Sequence, residues 1–374
     1  MKFVVSSSDL LSHLQTIGRV INSKNTIPIL DSFLFELIDG QLTLTASDGD
    51  TTLITSMVVA DAEENGSFAL AAKLLLDPLR ELPEQPLTFD VNNENKEIFI
   101  YFQNGKYNMI GQHGDDYPKN QPLNVNNIAF KIDVTALYSG IVRTIFATAD
   151  DELRPVMNGV YFDIHEEDLT FVSSDSHKLV RFKNETIKTG NNAAFILPKK
   201  PATMLKNILP KEQGQVLVEF DGRMANFTFA NYRIICRLIE GKFPNYNSVI
   251  PQNNPYKIVV DRIQLMTALR RVSHFSNQAS NLIKLQVSDN KIVITAQDID
   301  FSTAAEESVI CQYTENPIKI GFKSSFLVEI LNNITSNEVV LELADPSRAG
   351  IILPLEQDEN EHLLMLLMPM MLND

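Results

Sequence analysis

One local pattern occurs three times in this chain, and it limits the fold more than anything else in the sequence. The copies are SSSDLLSHLQTI at 6–17, FKIDVTALYSGIV at 130–142 and IVVDRIQLMTALRRV at 258–272. In each, an extended stretch ends at an aspartate, and Asp9, Asp133 and Asp261 stand 124 and 128 residues apart. An aspartate there is expected to cap a helix by accepting a backbone N–H bond. Apolar residues then follow at helical spacing: Leu10, Leu14, Ile17 and Ile21; Val134, Leu137, Ile141 and Ile145; Leu265, Leu269 and Val272. Each helix should bury one stripe and leave one face free.

Two further patterns repeat in the same order. Alternating strands run up to an aspartate in QLTLTASDGDTTL, DLTFVSSDSHKLV and KIVITAQDIDFST, which brings Asp48, Asp175 and Asp298 into register. Strands lead into a second helix in GSFALAAKLLLDPLREL, AAFILPKKPATMLKNIL and IKIGFKSSFLVEILNNI. Each third reads as two similar halves, and QPLNVNN and PQNNP look like linkers, giving domains at 1–122, 128–250 and 255–374. Two helices cannot wrap several strands, so an α+β arrangement is expected, with helices on one side of antiparallel sheets. Repeats of this kind stack, either as a solenoid or as a closed ring.

A length of 374 residues with 44% hydrophobic and 21% charged residues suits a chain folded throughout. The opening MKFVVSSSDLLSHLQ lacks the unbroken apolar core of a secretion signal, and the run from Leu363 to Leu372 is about half a membrane span. A cytoplasmic location is the expectation. Cys236 and Cys311 have no CxxC or Cys/His spacing, which points to two reduced thiols rather than a disulfide or zinc site. No metal or other cofactor is expected.

The net charge of −15 argues against a nucleic-acid partner only if charge is spread evenly. It is not. Cations gather on the helical segments: Arg19, Lys24, Lys73, Arg80, Arg143, Lys199, Lys200, Lys206, Arg262, Arg270, Arg271 and Lys323. Acids fill the loops, as in DAEEN, HEED and EQDENE. Helices facing a common cavity would make that cavity basic, able to hold phosphates without reading bases. With no Trp and no aromatic-rich basic motif, base stacking is not indicated.

Six segments, in order, resemble one family, the bacterial DNA polymerase III β subunits or sliding clamps. They are MKFVVSSSDLL, NTIPIL at 25–30, RPVMNGVYF at 154–162, SSDSHKLVRF at 173–182, GKFPNY at 241–246 and MPM at 368–370. The resemblance implies three clamp domains per chain and a head-to-tail homodimer forming a six-domain ring around double-stranded DNA. It also implies a processivity role for the replicative polymerase, with the clamp loader and repair proteins as further partners. Lys24 falls where the family places a basic DNA contact, and Lys73, Lys199 and Lys200 open helices at similarly basic positions. Arg80, Arg143, Lys206, Arg270 and Arg271 join them from helix placement alone.

The family's peptide-binding pocket maps onto Arg154, Met157, Ser174, Ser176, His177, Lys178, Leu179, Pro244, Val249, Leu366, Met368, Pro369, Met370, Met371 and Leu372. In the apolar tail, Leu364 is expected to turn into the core while Leu366, Met368, Pro369 and Met370 face the groove. The family commonly has glycine and arginine where this chain has Ser176 and Lys178, and arginine where it has Met371; Asn373 and Asp374 run past the usual end. The ring joint implied is Leu82, Tyr107 and Met109 against His274 and Phe275.

Two other readings compete. An enzyme could be built on His177 with Asp175, Ser173 and Ser174, or on a metal held by His113, Asp115 and Asp116, or by His165, Glu166, Glu167 and Asp168. Adjacent residues on a strand point to opposite faces, so contiguity is poor support for either. There is no GxxxxGK[ST] loop for nucleotide hydrolysis. The other is a non-catalytic scaffold that binds protein or glycan and never encircles DNA.

Overall fold

The structure, a computed structural model, describes residues 1–372; Asn373 and Asp374 lie outside the described residues. Six α-helices occur among them: α1 (Ser7–Ile17), α2 (Ala72–Glu81), α3 (Val134–Thr144), α4 (Lys199–Ile208), α5 (Arg262–Ser273) and α6 (Ser324–Asn332). Each third therefore carries two, as the repeat predicts, and the strand pairings are antiparallel throughout. The fold class is α+β.

The chain forms two compact units, residues 1–137 with 203–238 and residues 138–202 with 239–374. In the first unit a five-stranded sheet runs in the order Ala60–Glu63, Lys2–Ser6, Pro86–Val91, Glu97–Phe102, Gly105–Ile110. A nine-stranded sheet contains the joint between the first and middle thirds, where Thr51–Val58 pairs with Tyr232–Arg237. Its core is aromatic: Phe3 stacks on Phe89 at 4.8 Å and Phe35 on Phe68 at 4.7 Å, all four fully buried.

The second unit is organised on a twelve-stranded sheet. Its middle joins the other two thirds. Strand Lys178–Asn184 pairs with Glu361–Leu367 over seven residues, from Lys178 opposite Leu367 to Asn184 opposite Glu361. Phe162, Phe171 and Phe182 pack beneath it, with ring centroids 4.8 and 6.2 Å apart.

Local chemistry explains the repeats, with one correction. The cap of α1 is Ser6, whose hydroxyl accepts from the Asp9 N–H at 3.1 Å; Asp9 itself sits in the first turn, where a carboxylate suits the helix dipole. Asp261 does cap α5, accepting from Gln264 N–H at 2.7 Å. The second set of aspartates closes turns. Asp48, Asp175 and Asp298 each accept, through Oδ1, the N–H groups two and three residues on. The later half of each third has a counterpart in Asn92, Asp221 and Asp345, which accept from the backbone two residues ahead. This second series escapes a search for aspartate, because one member is asparagine.

Both cysteines are buried and unpaired, and burial pushes the Cys236 thiol up to about 12 and the Cys311 thiol to about 11.

Candidate peptide groove and basic helix faces

All fifteen predicted pocket residues lie in the second unit. Their floor comes from cross-strand pairing. Leu179 is opposite Leu366, which is opposite Ile351. These three share a buried cluster with Val172, Phe243, Tyr246 and Ile250, and Phe243 stacks on Tyr161 at 4.7 Å. The predicted division of the tail strand is corrected by this alternation. Leu363, Met365 and Leu367 face the core, whereas Leu364 and Leu366 share the other face, Leu364 half-buried and Leu366 only 3% exposed. Leu364 and Leu366 cannot point opposite ways, being two residues apart on one strand.

Val249 follows this cluster's Tyr246 and precedes its Ile250, and Met368 follows the tail strand; they are 55% and 41% exposed, Met371 is 74% exposed, and Met157, Pro369 and Met370 are half-buried. Pro244 is exposed beside Phe243. Flexible methionines around a leucine floor make a surface that adapts to several apolar ligands. Two backbone bonds hold the tail: Met368 N–H to the His177 carbonyl and Met370 N–H to the Gly321 carbonyl, both 2.8 Å. Leu372 leaves this neighbourhood. It rests against Gly321 and lines a separate cavity with Leu282, Lys284 and Gln297.

The polar members are structural braces. Lys178 is 5% exposed, its ammonium 2.9 Å from Asp175 and 3.0 Å from Glu329, and it lies 4.4 Å from the centre of the Phe326 ring. It thus ties the strand Lys178–Asn184 to α6. His177 stacks on the same ring at 5.9 Å. Ser174 Oγ donates to the Lys178 carbonyl and accepts from Ser176 N–H. Ser176 has φ +77°, a left-handed conformation that favours glycine, and its hydroxyl meets both Arg154 and Met157. Arg154 pairs with Asp151 at 2.8 Å, and the Leu153 N–H, with Arg154, holds the Asp151 carboxyl below the usual range. Sequence reasoning missed Phe326, Val172, Ile351 and Phe243. Counting by twos from Leu179 and Leu366 along paired strands could have found Val172 and Ile351; nothing local marks Phe326.

The clusters imagined as catalytic do not assemble. The His177 ring faces Phe326, and Asp175 is occupied by the turn and Lys178. Ser173 is fully buried. Around His165 the carboxylates diverge, Glu166 to Asn192, Glu167 to Lys188 and Asp168 to Lys183. Among the described residues no group of three or more His, Cys, Asp or Glu could hold a metal ion.

The predicted DNA contacts fall on helices or beside them. Lys24 is exposed in the loop after α1, and Lys73 is exposed in the first turn of α2. Lys199 is exposed and Lys200 half-buried at the start of α4, with Lys206 half-buried further along. Arg270 is exposed on α5 and donates to Asn332 Oδ1 at 2.9 Å. Carboxylates stand beside Arg80 (Asp77 at 3.0 Å), Arg143 (Glu361 at 2.6 Å) and Arg271 (Glu307 at 2.7 Å). Arg143 also covers the Phe182 ring at 4.6 Å and is half-buried, which makes it first a brace of the second unit.

Of the predicted joint, Tyr107 and Met109 are half-buried on Gly105–Ile110, the outermost strand of the five-stranded sheet, and Leu82 is the C-cap of α2. His274 caps the C-terminus of α5, and Phe275 beside it is 42% exposed. No helix among the described residues is long and apolar enough to cross a membrane.

Comparison with known proteins accounts for this architecture. Residues 1–121, 131–245 and 247–371 match, in order, the N-terminal, central and C-terminal domains of the DNA polymerase III beta subunit. The beta sliding clamp of Pseudomonas aeruginosa is 27% identical over 368 residues, spanning 98% of this chain and 99% of that protein. The Staphylococcus aureus beta sliding clamp is 26% identical over 373 residues, 98% of each. Among solved structures, a DnaN sliding clamp from Bartonella birtlesii bound to griselimycin superposes with a TM-score of 0.93 at 27% identity, covering 100% of both chains. The Pseudomonas aeruginosa clamp bound to griselimycin gives 0.94 at 26% identity, again over 100% of both. The resemblance read from six short segments thus extends over the whole fold, and the chain belongs to the DNA polymerase III beta subunit family.

Proposed function

We propose that this chain is the sliding clamp of a replicative DNA polymerase, two copies closing head to tail into a ring around duplex DNA. The observation that carries this reading is the succession of three beta-subunit domains across residues 1–371. The protein is a non-catalytic subunit, working in the cytoplasm at the replication fork. Its domains run 1–122, 128–250 and 255–374. The basic helix positions hold the duplex through phosphates, loosely enough to slide, and topology supplies retention. The groove at Leu179, Leu366 and Met368 takes short peptides from the polymerase, the loader and repair proteins, which keeps the polymerase at high local concentration.

The proposed joint has support in two open sheet edges. Strand Gly105–Ile110 has a neighbour on one side only, and strand Thr303–Gln312 pairs on its second side only at Cys311 and Gln312. Such edges template pairing with another chain. A head-to-tail contact uses two different patches, which must close on themselves or run on as a fibre.

Loading the protein on nicked circular DNA with a clamp loader, then linearising the circle, tests the ring: it should slide off once ends exist. Retention on linear DNA would refute encirclement. A finer test concerns Arg271, whose guanidinium contacts Glu307 three times at 2.7–3.1 Å and holds that carboxyl below its ordinary range. Glu307→Gln should release this cation toward DNA. Duplex affinity, followed by fluorescence anisotropy, should rise, and the slope of log affinity against log salt should steepen by about 0.9. An unchanged slope would remove Arg271 from the DNA face.

A further inference from the structure

The sheet face that floors the groove also carries a charged residue that the clamp reading does not use. One cross-strand row reads Ile196, Tyr161, Val172, Arg181, Leu364, a single cation among apolar neighbours. The next row reads Asp163, Thr170, Lys183, His362. Between these rows and Tyr246 lies a cavity of about 380 Å³, lined by Arg181, Lys183, Asp168 and both His165 and His362.

Most charges here are already matched. Lys183 lies 3.2 Å from Asp168 Oδ2 and 2.9 Å from Glu185. Asp163 accepts from the Tyr246 hydroxyl at 2.6 Å and lies 3.5 Å from His165, and His362 lies 3.5 Å from Glu185. Two buried atoms remain without a hydrogen-bond partner, the donor Arg181 Nε and the acceptor Asp168 Oδ1. Among the described residues no carboxylate lies within ion-pair distance of Arg181. A buried donor and a buried acceptor left open in one cavity call for an occupant that offers the complement of each.

We propose that this cavity binds an oxyanion that carries its own proton at neutral pH, inorganic hydrogen phosphate. Its unprotonated oxygens accept from the Arg181 guanidinium, whose planar fork suits phosphate. Its P–OH donates to Asp168 Oδ1. The surrounding carboxylates select for that proton, because they repel a ligand able only to accept. Sulfate at neutral pH and the internal phosphodiesters of duplex DNA have no such proton, so the site is chemically distinct from the proposed DNA surface.

Calorimetric titration of the full-length protein in a phosphate-free buffer tests this. Inorganic phosphate should bind at a single site, and sulfate at equal ionic strength at least about tenfold more weakly. Arg181→Met should lose at least about tenfold in phosphate affinity, and Arg181→Lys, which keeps the charge but not the fork, should lose less. Asp168→Asn should raise sulfate toward phosphate, since an amide can donate where the carboxylate could not. Circular dichroism and the melting temperature establish that each variant is folded. Adenosine monophosphate, whose phosphate has largely lost its second proton at neutral pH, should bind more weakly than inorganic phosphate, and equal or tighter binding would overturn the proposal. No binding at millimolar phosphate, equal binding of sulfate by the wild-type protein, or unchanged binding by Arg181→Met would overturn the proposal, leaving a hydrated cavity or an adventitious ion only.

Discussion

A chain ending at Leu367 should fold and still be loaded on circular DNA, yet support no long synthesis. The final strand, Glu361–Leu367, stays whole, so the core contacts of Leu363, Met365 and Leu367 and the pairing with Lys178–Asn184 survive. What is lost is the partly exposed apolar segment from Met368 to Leu372, with its anchors to His177 and Gly321. Two backbone bonds contribute about 0.5–1.5 kcal/mol each, too little to unfold the unit. The groove, by contrast, loses much of its accessible apolar wall, and exposed apolar patches of this kind are where partner binding concentrates. Primer extension on a long single-stranded template should give products shortened by about tenfold or more, because the polymerase no longer benefits from tethering. Full-length products at the wild-type rate would show that the tail is not where the polymerase docks.

Gly140→Ala should destabilise the second unit although it adds a single carbon. On helix propensity alone it would stabilise α3 by about 1 kcal/mol. The site reverses the sign. A Cβ at Gly140 would stand 2.3, 2.4 and 2.5 Å from three atoms of the Phe171 ring. That ring is fully buried between Phe162 and Phe182 and has nowhere to swing. Relief requires α3 to lift from the sheet, and overpacking of this kind costs about 1–3 kcal/mol, occasionally more. Denaturant unfolding should register a net loss of about 1 kcal/mol even after the propensity gain. Phe171→Leu in the same chain should recover part of it, with a coupling of about 1 kcal/mol. A neutral or stabilising Gly140→Ala would mean that α3 does not sit flush on that ring.

The repeat was legible because it is written in short-range terms. Leu10, Leu137 and Leu265 at helical spacing, and Asp48, Asp175 and Asp298 at the ends of alternating strands, announce their elements without knowledge of the partners. RPVMNG, SSDSHKL and the tail fall in one unit, and strand pairing sets Leu179 of the second against Leu366 before the tail. Errors came where periodicity was read too loosely, as when Leu364 and Leu366 were sent to opposite faces of one strand. What the sequence could not reveal is which cation meets which acid. Arg143 and Glu361 are 218 residues apart, and Arg271 and Glu307 36 apart. Packing of helix on sheet brings them together, so a helix cation that looks available in sequence can already be occupied. Ser6 in place of Asp9 as the cap of α1 is a smaller case, since both residue types suit the role and the boundary decides.

The pairing of Lys178–Asn184 with Glu361–Leu367 also sets a timetable. Asn184 and Glu361 are separated by 177 residues, so on the ribosome the earlier strand waits for its neighbour. At synthesis rates of about 5–20 residues per second that interval is roughly 10–35 s, long compared with the collapse of a domain. Throughout it Leu179, Val180 and Phe182 sit on an uncovered strand, the kind of edge that nascent chains join by mistake. The same strand carries Lys178, Arg181 and Lys183, three positive charges in seven residues. Three like charges on each copy would repel a second nascent copy at that edge until the last strand emerges. Replacing them with neutral residues should therefore raise the insoluble fraction during expression, in addition to removing the ion pairs that Lys178 and Lys183 make in the folded chain.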